Sequence, residues 1–388
     1  MGCIDVSGVV GRAISAMCKK IILVSNTSWY LFNFRLNLML HLQSLGYVVI
    51  AVAPLDAYSS RFAEHGITFK AMPMDNKGTH PVKDSLLILR FIWLFFKLKP
   101  DCILSYTPKC NIYSSLAAGF LSIPIINNVS GLGTAFIKEN LVTKIVKWLY
   151  VVSLKKSAKI FFQNNDDLSL FVQLGLVKAE LTGLLPGSGV DVQRFTPLNN
   201  PIPNDRFVFL LVARMLKDKG VVEFVNATRQ LKAQYPAIEC QLLGFLDAKN
   251  PTAISTEEMQ AWVNEGIVNY LGVSDNVLDY LRLADCVVLP SYREGTPRSL
   301  LEAASVGKPI ITTDAVGCRE VVDDGINGFL CEPRSTDDLM AKMEKMLLLS
   351  DAERLQMGLK GREKMLTQFD EKIVIKRYVE VIKALQLG

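Results

Sequence analysis

A chain of 388 residues is too long for one ordinary core, so two domains with a cleft between them are expected. Half of the residues are hydrophobic and 21% are charged, which excludes an extended disordered chain. Residues 1–190 hold 19 basic against 10 acidic residues and residues 191–388 hold 24 against 28, so the first half is expected to meet something anionic.

The opening "MGCIDVSGVVGRAISAMCKK" lacks a basic region ahead of a long apolar core and makes a poor signal peptide. Met1, Gly2 and Cys3 raise acylation, but Asp5 and Val6 leave the Ser or Thr of the myristoylation pattern unplaced, and an extended or misassigned start is the preferred reading. From Lys20 short buried runs alternate with amphipathic stretches: "KIILVSN", "VVIAVAP", "ITFKAMP", "DCILSYT", "PIINNVS", "KIFFQN" and "LTGLLPGSGV". Continuous apolar strands separated by helices imply a parallel sheet covered on both faces.

Two helical stretches of this half, "LLILRFIWLFFKLKP" (86–100) and "LVTKIVKWLYVVSLKKSAK" (141–159), mix Lys with Trp and aliphatic residues. This composition suits an anionic membrane surface better than nucleic acid. The first offers about a dozen apolar positions broken by Arg90, against the roughly 20 of a span, so the protein would lie on the membrane. Ordinary helices packed on a sheet are the alternative. Trp93, Phe95, Phe96, Trp148 and Tyr150 are the aromatic residues expected to dock. The first strand leads into "SNTSWYLFNFR" where a dinucleotide site would carry G-x-G-x-x-G, and "SGLGTAF" (130–136) lies far from that strand, so an NAD enzyme is disfavoured.

The Pro- and Asn-rich "TPLNNPIPNDR" (196–206) is the expected boundary between domains 1–195 and 196–370, with 371–388 a terminal helix returning to the first domain. Beyond it come "FVFLLVAR", "IECQLLGF", "IVNYLG", "CVVLPS", "PIITTD" and "GFLCEP". The expected fold is α/β, two doubly wound Rossmann-like domains facing a central cleft, with ligands at the carboxyl ends of the strands. Eight scattered cysteines without a C-x-x-C pair read as reduced, buried thiols of a cytosolic protein.

In "VARMLKDKGVVEF" Arg214 ends a strand and Lys219 follows in the loop before a helix, two cations facing the crevice. In "SYREGTPRSLLEAASVGKPIITTD" (291–314) a helix begins near Thr296 and Pro297, and its first N–H groups and dipole favour an anion. Glu302 falls inside that helix among apolar neighbours and needs partners, which ribose hydroxyls would supply. Together these residues outline a diphosphate clamp, with Gly295 approaching the phosphate oxygens and Glu294 reaching the sugar beyond.

Arg214-x4-Lys219, Glu294-Gly-Thr-Pro, the eight-residue step from Glu294 to Glu302 and "GVDVQRFTP" (189–197) resemble the retaining GT-B glycosyltransferases of family four, over nearly the whole chain. Within it, "LSYTPKCNIYSSLAAGFLSIPIINNVSGLGTAF" (104–136) is similar to bacterial enzymes adding an α-1,3-linked N-acetylhexosamine to a sugar on undecaprenyl diphosphate. The resemblance implies a UDP-sugar donor, UDP-GalNAc the best guess, with Glu302 on the ribose, Arg214 and Lys219 on the diphosphate, and Glu294 on the donor sugar. Gly295, Thr296 and Pro297 complete the implied donor set, and Arg214, Lys219 and Glu294 the catalytic one. Retention of configuration would follow from front-face attack, in which a leaving-phosphate oxygen takes the acceptor proton and no dedicated base is needed. Asn33, Arg35, Thr107, Lys109 and Gly131 follow N-terminal strands and are the acceptor candidates.

His41, His65 and His80 stand in no strong motif, and no D-x-D lies near the donor residues, so neither a histidine base nor a metal is expected. No cofactor beyond the substrate and no nucleic-acid partner are expected, and the enzyme is placed on the inner face of the cytoplasmic membrane. A nucleotide-sugar epimerase, a phosphorylase of the same architecture and an inactive sugar-binding scaffold are the competing readings.

Overall fold

The computed structural model describes residues 19–75, 81–131, 141–198, 206–246 and 250–386. Residues 1–18 of the leader and His80 lie outside these residues. All thirteen apolar runs form strands, and within each domain every pairing is parallel.

The first sheet has the order β3-β2-β1-β4-β5-β6-β7, with β1 Lys20–Val24, β2 Val48–Ala53, β3 Thr68–Ala71, β4 Cys102–Tyr106, β5 Ile125–Val129, β6 Lys159–Phe162 and β7 Thr182–Leu184. Successive side chains of a strand point to opposite faces. Ile22 and Val24 therefore enter one core with Phe91, Phe95 and Phe162, while Ile21 and Leu23 enter another with Leu31, Leu104 and Tyr378. The first face is covered by α2 Pro81–Leu98, α3 Pro108–Leu121, α4 Leu141–Leu154 and α5 Asn165–Gln173; the second by α1 Ser28–Ser44 and the last helix, α12 Glu371–Gln386.

The second sheet has the order β10-β9-β8-β11-β12-β13, with β8 Val208–Val212, β9 Glu239–Leu243, β10 Asn269–Tyr270, β11 Cys286–Leu289, β12 Ile310–Thr313 and β13 Gly328–Cys331. Helices α6 Val221–Gln234, α7 Thr256–Asn264, α8 Val277–Leu283, α9 Arg298–Ser305, α10 Thr336–Leu348 and α11 Asp351–Lys364 complete this half. Two cores again flank the sheet, with Phe209 and Leu211 in one and Val208 and Leu210 in the other.

In a doubly wound sheet the crevice opens where the winding reverses, outside the carboxyl ends of the two central strands. Those strands are β1 and β4 in the first domain and β8 and β11 in the second. Val190 and Glu371 are joined by backbone hydrogen bonds, Val190 N to Phe369 O at 2.9 Å and Glu371 N to Val190 O at 3.0 Å, so the outgoing and returning segments run together between the domains. The six cysteines among the described residues are free and buried, and burial pushes the Cys110 thiol up to about 12.

Candidate active site in the cleft

The loops after β8 and β11 carry the candidate donor residues and are tied to each other. Arg214 is exposed two residues beyond β8, and Lys219 ends a single tight turn, Lys217–Lys219, that feeds α6. Gly220 follows at φ 71°, and a Cβ there would lie 2.1 Å from the carbonyl oxygen of Pro290, so only glycine lets this turn pack against the end of β11. Tyr292 N donates to Asp218 O at 3.0 Å, closing the two loops together.

Lys219 Nζ consequently reaches Glu294 Oε1, and Ser291 Oγ donates to the same oxygen at 2.8 Å. The Lys219 and Glu294 side chains are 18% and 14% exposed, enough for a ligand to touch and too little for water to screen the pair fully. The backbone of Glu294 is anchored by its N–H to Val316 O at 2.9 Å. Pro297 then caps α9, whose eight residues include Glu302 in the second turn.

Glu302 already has an internal partner. Arg298 Nε donates to its Oε1 at 2.8 Å, and burial, opposed chiefly by this Arg298, raises the Glu302 carboxyl above its ordinary range. The sequence expectation of ribose hydroxyls as the needed partners is corrected to this extent: one carboxylate oxygen is held from within the helix, because residues four apart share a helix face.

The first domain meets this site directly. Asn164 Nδ2 donates to Gly295 O at 3.1 Å, Thr296 Oγ1 to Gln163 O at 3.2 Å, and Arg293 pairs with the fully buried Asp167 carboxylate of α5. A Cβ on Gly295 would stand 2.3 Å from Ser130 O and 2.6 Å from Gln163 Oε1. Gly295 therefore serves close approach of two backbones across the cleft, and Gly131, next to Ser130, packs on the same residue. Among the described residues no three His, Cys, Asp or Glu side chains are grouped to hold a metal ion.

Two family models match this chain, Glycosyl transferase 4-like over residues 20–164 and Glycosyl transferases group 1 over residues 193–364. Both models describe glycosyltransferases, and together they span most of the chain. It is 29% identical over 378 residues to the N,N'-diacetylbacillosaminyl-diphospho-undecaprenol alpha-1,3-N-acetylgalactosaminyltransferase of Campylobacter jejuni, covering 92% of this chain and 96% of that one. The UDP-Gal:alpha-D-GlcNAc-diphosphoundecaprenol alpha-1,3-galactosyltransferase of Escherichia coli is 24% identical over 319 residues, 79% of this chain and 80% of its own. In fold it resembles Anabaena HepE, crystallised with UDP-glucose, at a TM-score of 0.78 over 94% of this chain and 99% of that one, with 17% sequence identity.

On the other wall of this glycosyltransferase's cleft the acceptor candidates separate. Thr107 caps α3 at φ 71° and ψ 146°, a region nearly reserved for glycine, so a β-branched residue stands under strain at the mouth of β4. Lys109 Nζ lies 3.0 Å from both Asp84 Oδ1 and the Asp75 carbonyl, beside a cavity of about 610 Å³ lined by Leu55, Met74, Lys83, Leu86 and Arg90. Asn33 is half-buried and its Nδ2 donates back to Trp29 O at 3.0 Å. Arg35 is a correction. It is 2% exposed, its guanidinium stacks 4.5 Å from the Tyr106 ring centroid, and Nη2 donates to Tyr30 Oη at 3.2 Å, because α12 and its Tyr378 cover that face of the sheet.

The expected docking aromatics are corrected similarly. Phe95 and Tyr150 are buried in the core, whereas Trp93, Phe96 and Trp148 are 62–67% exposed. On α2 the outward residues Val82, Leu86, Leu89, Trp93 and Phe96 form one stripe at steps of four and three, and Trp148 stands with exposed Ile145 on α4. No helix among the described residues is long and apolar enough to cross a membrane. Ser291, Arg298, Gln163, Asn164 and Asp167 escaped sequence reasoning; of these only Arg298, four residues before Glu302, had a local signal.

Proposed function

We propose that this protein is a retaining glycosyltransferase that moves an N-acetylhexosamine, GalNAc the first candidate, from a UDP-sugar onto a sugar carried by a polyprenyl diphosphate in polysaccharide assembly, forming an α-1,3 linkage. The observation that carries the reading is the junction of Lys219, Glu294 and the start of α9 at the winding reversal of the second sheet, facing Ser130 and Gly131. The names of the Campylobacter and Escherichia relatives support the lipid-diphosphate acceptor, and UDP-glucose in HepE supports a nucleotide-sugar donor.

In the proposed step an acceptor hydroxyl oxygen bonds to the anomeric carbon while the anomeric C–O bond to the diphosphate breaks. The electron pair goes to the leaving oxygen, and a phosphate oxygen on the same face takes the hydroxyl proton. Arg214 and Lys219 meet the negative charge as it grows, and losing one such preorganised group costs about 3–4 kcal/mol in the barrier. Glu294, held by Lys219 and Ser291, orients donor-sugar hydroxyls.

The acceptor diphosphate would enter beside Thr107 and the cavity at Lys83, Arg90 and Lys109, with its lipid tail leaving along the α2 stripe. That stripe and Trp148, flanked by exposed Lys144, Lys155 and Lys156, form the proposed face against an anionic membrane. Incubation with a panel of labelled nucleotide sugars and polyprenyl-diphosphate sugars, read by mass spectrometry of the extracted lipid, tests the reading. Lipid gaining one hexosamine is expected; nucleotide sugar converted without transfer would establish an epimerase, and binding without turnover a scaffold.

A further inference from the structure

Arg298 touches both domains. It opens α9, and its Nε holds Glu302 Oε1 at 2.8 Å with only 12% and 13% of the two side chains exposed. The same guanidinium lies 5.0 Å from the ring centroid of Phe34, which belongs to α1 of the first domain. Phe34 is itself fixed edge-on against Trp29 at 5.1 Å and Tyr30 at 5.0 Å, on the turn of α1 that leads into the cleft. One turn further along α1, Asn37 Nδ2 donates to Glu371 Oε1 at 2.5 Å and lies 3.3 Å from Asp191 Oδ2, so this helix face also meets the segments that join the domains.

We propose that Arg298 is a positioning residue through which the first domain sets the affinity for the nucleotide donor: it orients Glu302 for the ribose while resting on Phe34. The proposal builds on the ribose role given to Glu302 above. A carboxylate has two oxygens and about four acceptor sites, so a cation on Oε1 leaves the other oxygen for the two neighbouring ribose hydroxyls and keeps the group charged in a poorly hydrated place. The guanidinium plane needs a wall to stay in register, and an aromatic face attracts it. Phe34 provides that wall only while the domains are together, so donor grip and cleft closure are coupled through one side chain.

Calorimetric titration with UDP and with 2′,3′-dideoxy-UDP, which lacks the ribose hydroxyls, tests this in the full chain. Arg298→Ala is expected to weaken UDP about tenfold and leave dideoxy-UDP unchanged, with Arg298→Lys recovering part of the loss. Phe34→Ala is expected to weaken UDP about threefold despite lying in the other domain, and to add nothing in the Arg298→Ala background. Unchanged UDP affinity in Arg298→Ala, or equal losses for both nucleotides, overturns the proposal. So does a Phe34 effect that persists without Arg298. Glu302→Ala separates the two levels: if it leaves UDP affinity unchanged the ribose reading itself falls, whereas a loss there with none in Arg298→Ala removes Arg298 alone.

Discussion

Replacing Lys219 with Ala perturbs two things that the structure allows to be separated. The first is folding: Glu294 loses a cation while both side chains are more than four-fifths buried, and Ser291 Oγ remains as its partner at 2.8 Å. Breaking a fully buried pair costs about 3–5 kcal/mol, and an exposed one about 0–1. At this burial, with one hydrogen bond retained, about 2–3 kcal/mol is expected, which a native stability of about 5–15 kcal/mol survives. The second is chemistry: a missing cation beside the leaving diphosphate costs about 3–4 kcal/mol, or roughly 200- to 1000-fold in rate. Urea unfolding and transfer of labelled sugar, each measured for Lys219→Ala and for Lys219→Ala with Glu294→Ala, read the two effects. The double variant should regain most of the stability, since no lone carboxylate is left, and none of the activity. Transfer within threefold of wild type in Lys219→Ala, or activity returning together with stability, would refute the clamp.

The half-buried Glu371 carboxyl is raised above its ordinary 4.5 first by burial, with Asp191 adding to this and Asn37 opposing it. An acid so raised favours the fold most below about pH 4.5 and loses that contribution as pH climbs through the raised value. Glu371→Gln, which keeps the acceptor for Asn37, should therefore unfold at higher temperature than wild type near pH 7 and at a similar one near pH 4; an equal gap at both would contradict this. Membrane binding is expected to drop by several kcal/mol when Lys144, Lys147, Lys155 and Lys156 become Glu, at about 1 kcal/mol per basic residue, and the salt-resistant remainder to vanish with Trp93→Ser and Trp148→Ser. Liposome sedimentation across a salt series checks this, and wild-type behaviour in both variants would mean that the lipid reaches the cleft otherwise. Because no D-x-D accompanies the donor residues, transfer should persist in EDTA; complete loss with rescue by Mg²⁺ or Mn²⁺ would overturn that expectation.

The inner strands were readable one by one because they are covered on both faces, so runs such as "IILV" of β1 and "CVVL" of β11 stay apolar throughout and need no partner to be recognised. The start of α9 was equally local: Pro297 cannot donate an N–H and sits where the helix has none to lose. Local chemistry also placed Arg214, Lys219 and Glu294 at strand ends, since the carboxyl end of a parallel strand is where a doubly wound fold opens. Facing direction was harder. Phe95 and Phe96 are neighbours in "LFFK", yet one lies in the core and the other in solvent, a split that follows from the helical turn of about 100° per residue and from which side α2 lays on the sheet. Arg35 looked like a cleft cation, and only the return of α12 with Tyr378 encloses it among aromatic rings. The contacts that close the cleft, Asp167 with Arg293, Asn164 with Gly295 and Phe34 with Arg298, join residues far apart in the chain. No periodicity or spacing encodes such pairs, because they exist only once two independently wound sheets are set face to face; that placement is the decision the tertiary structure makes.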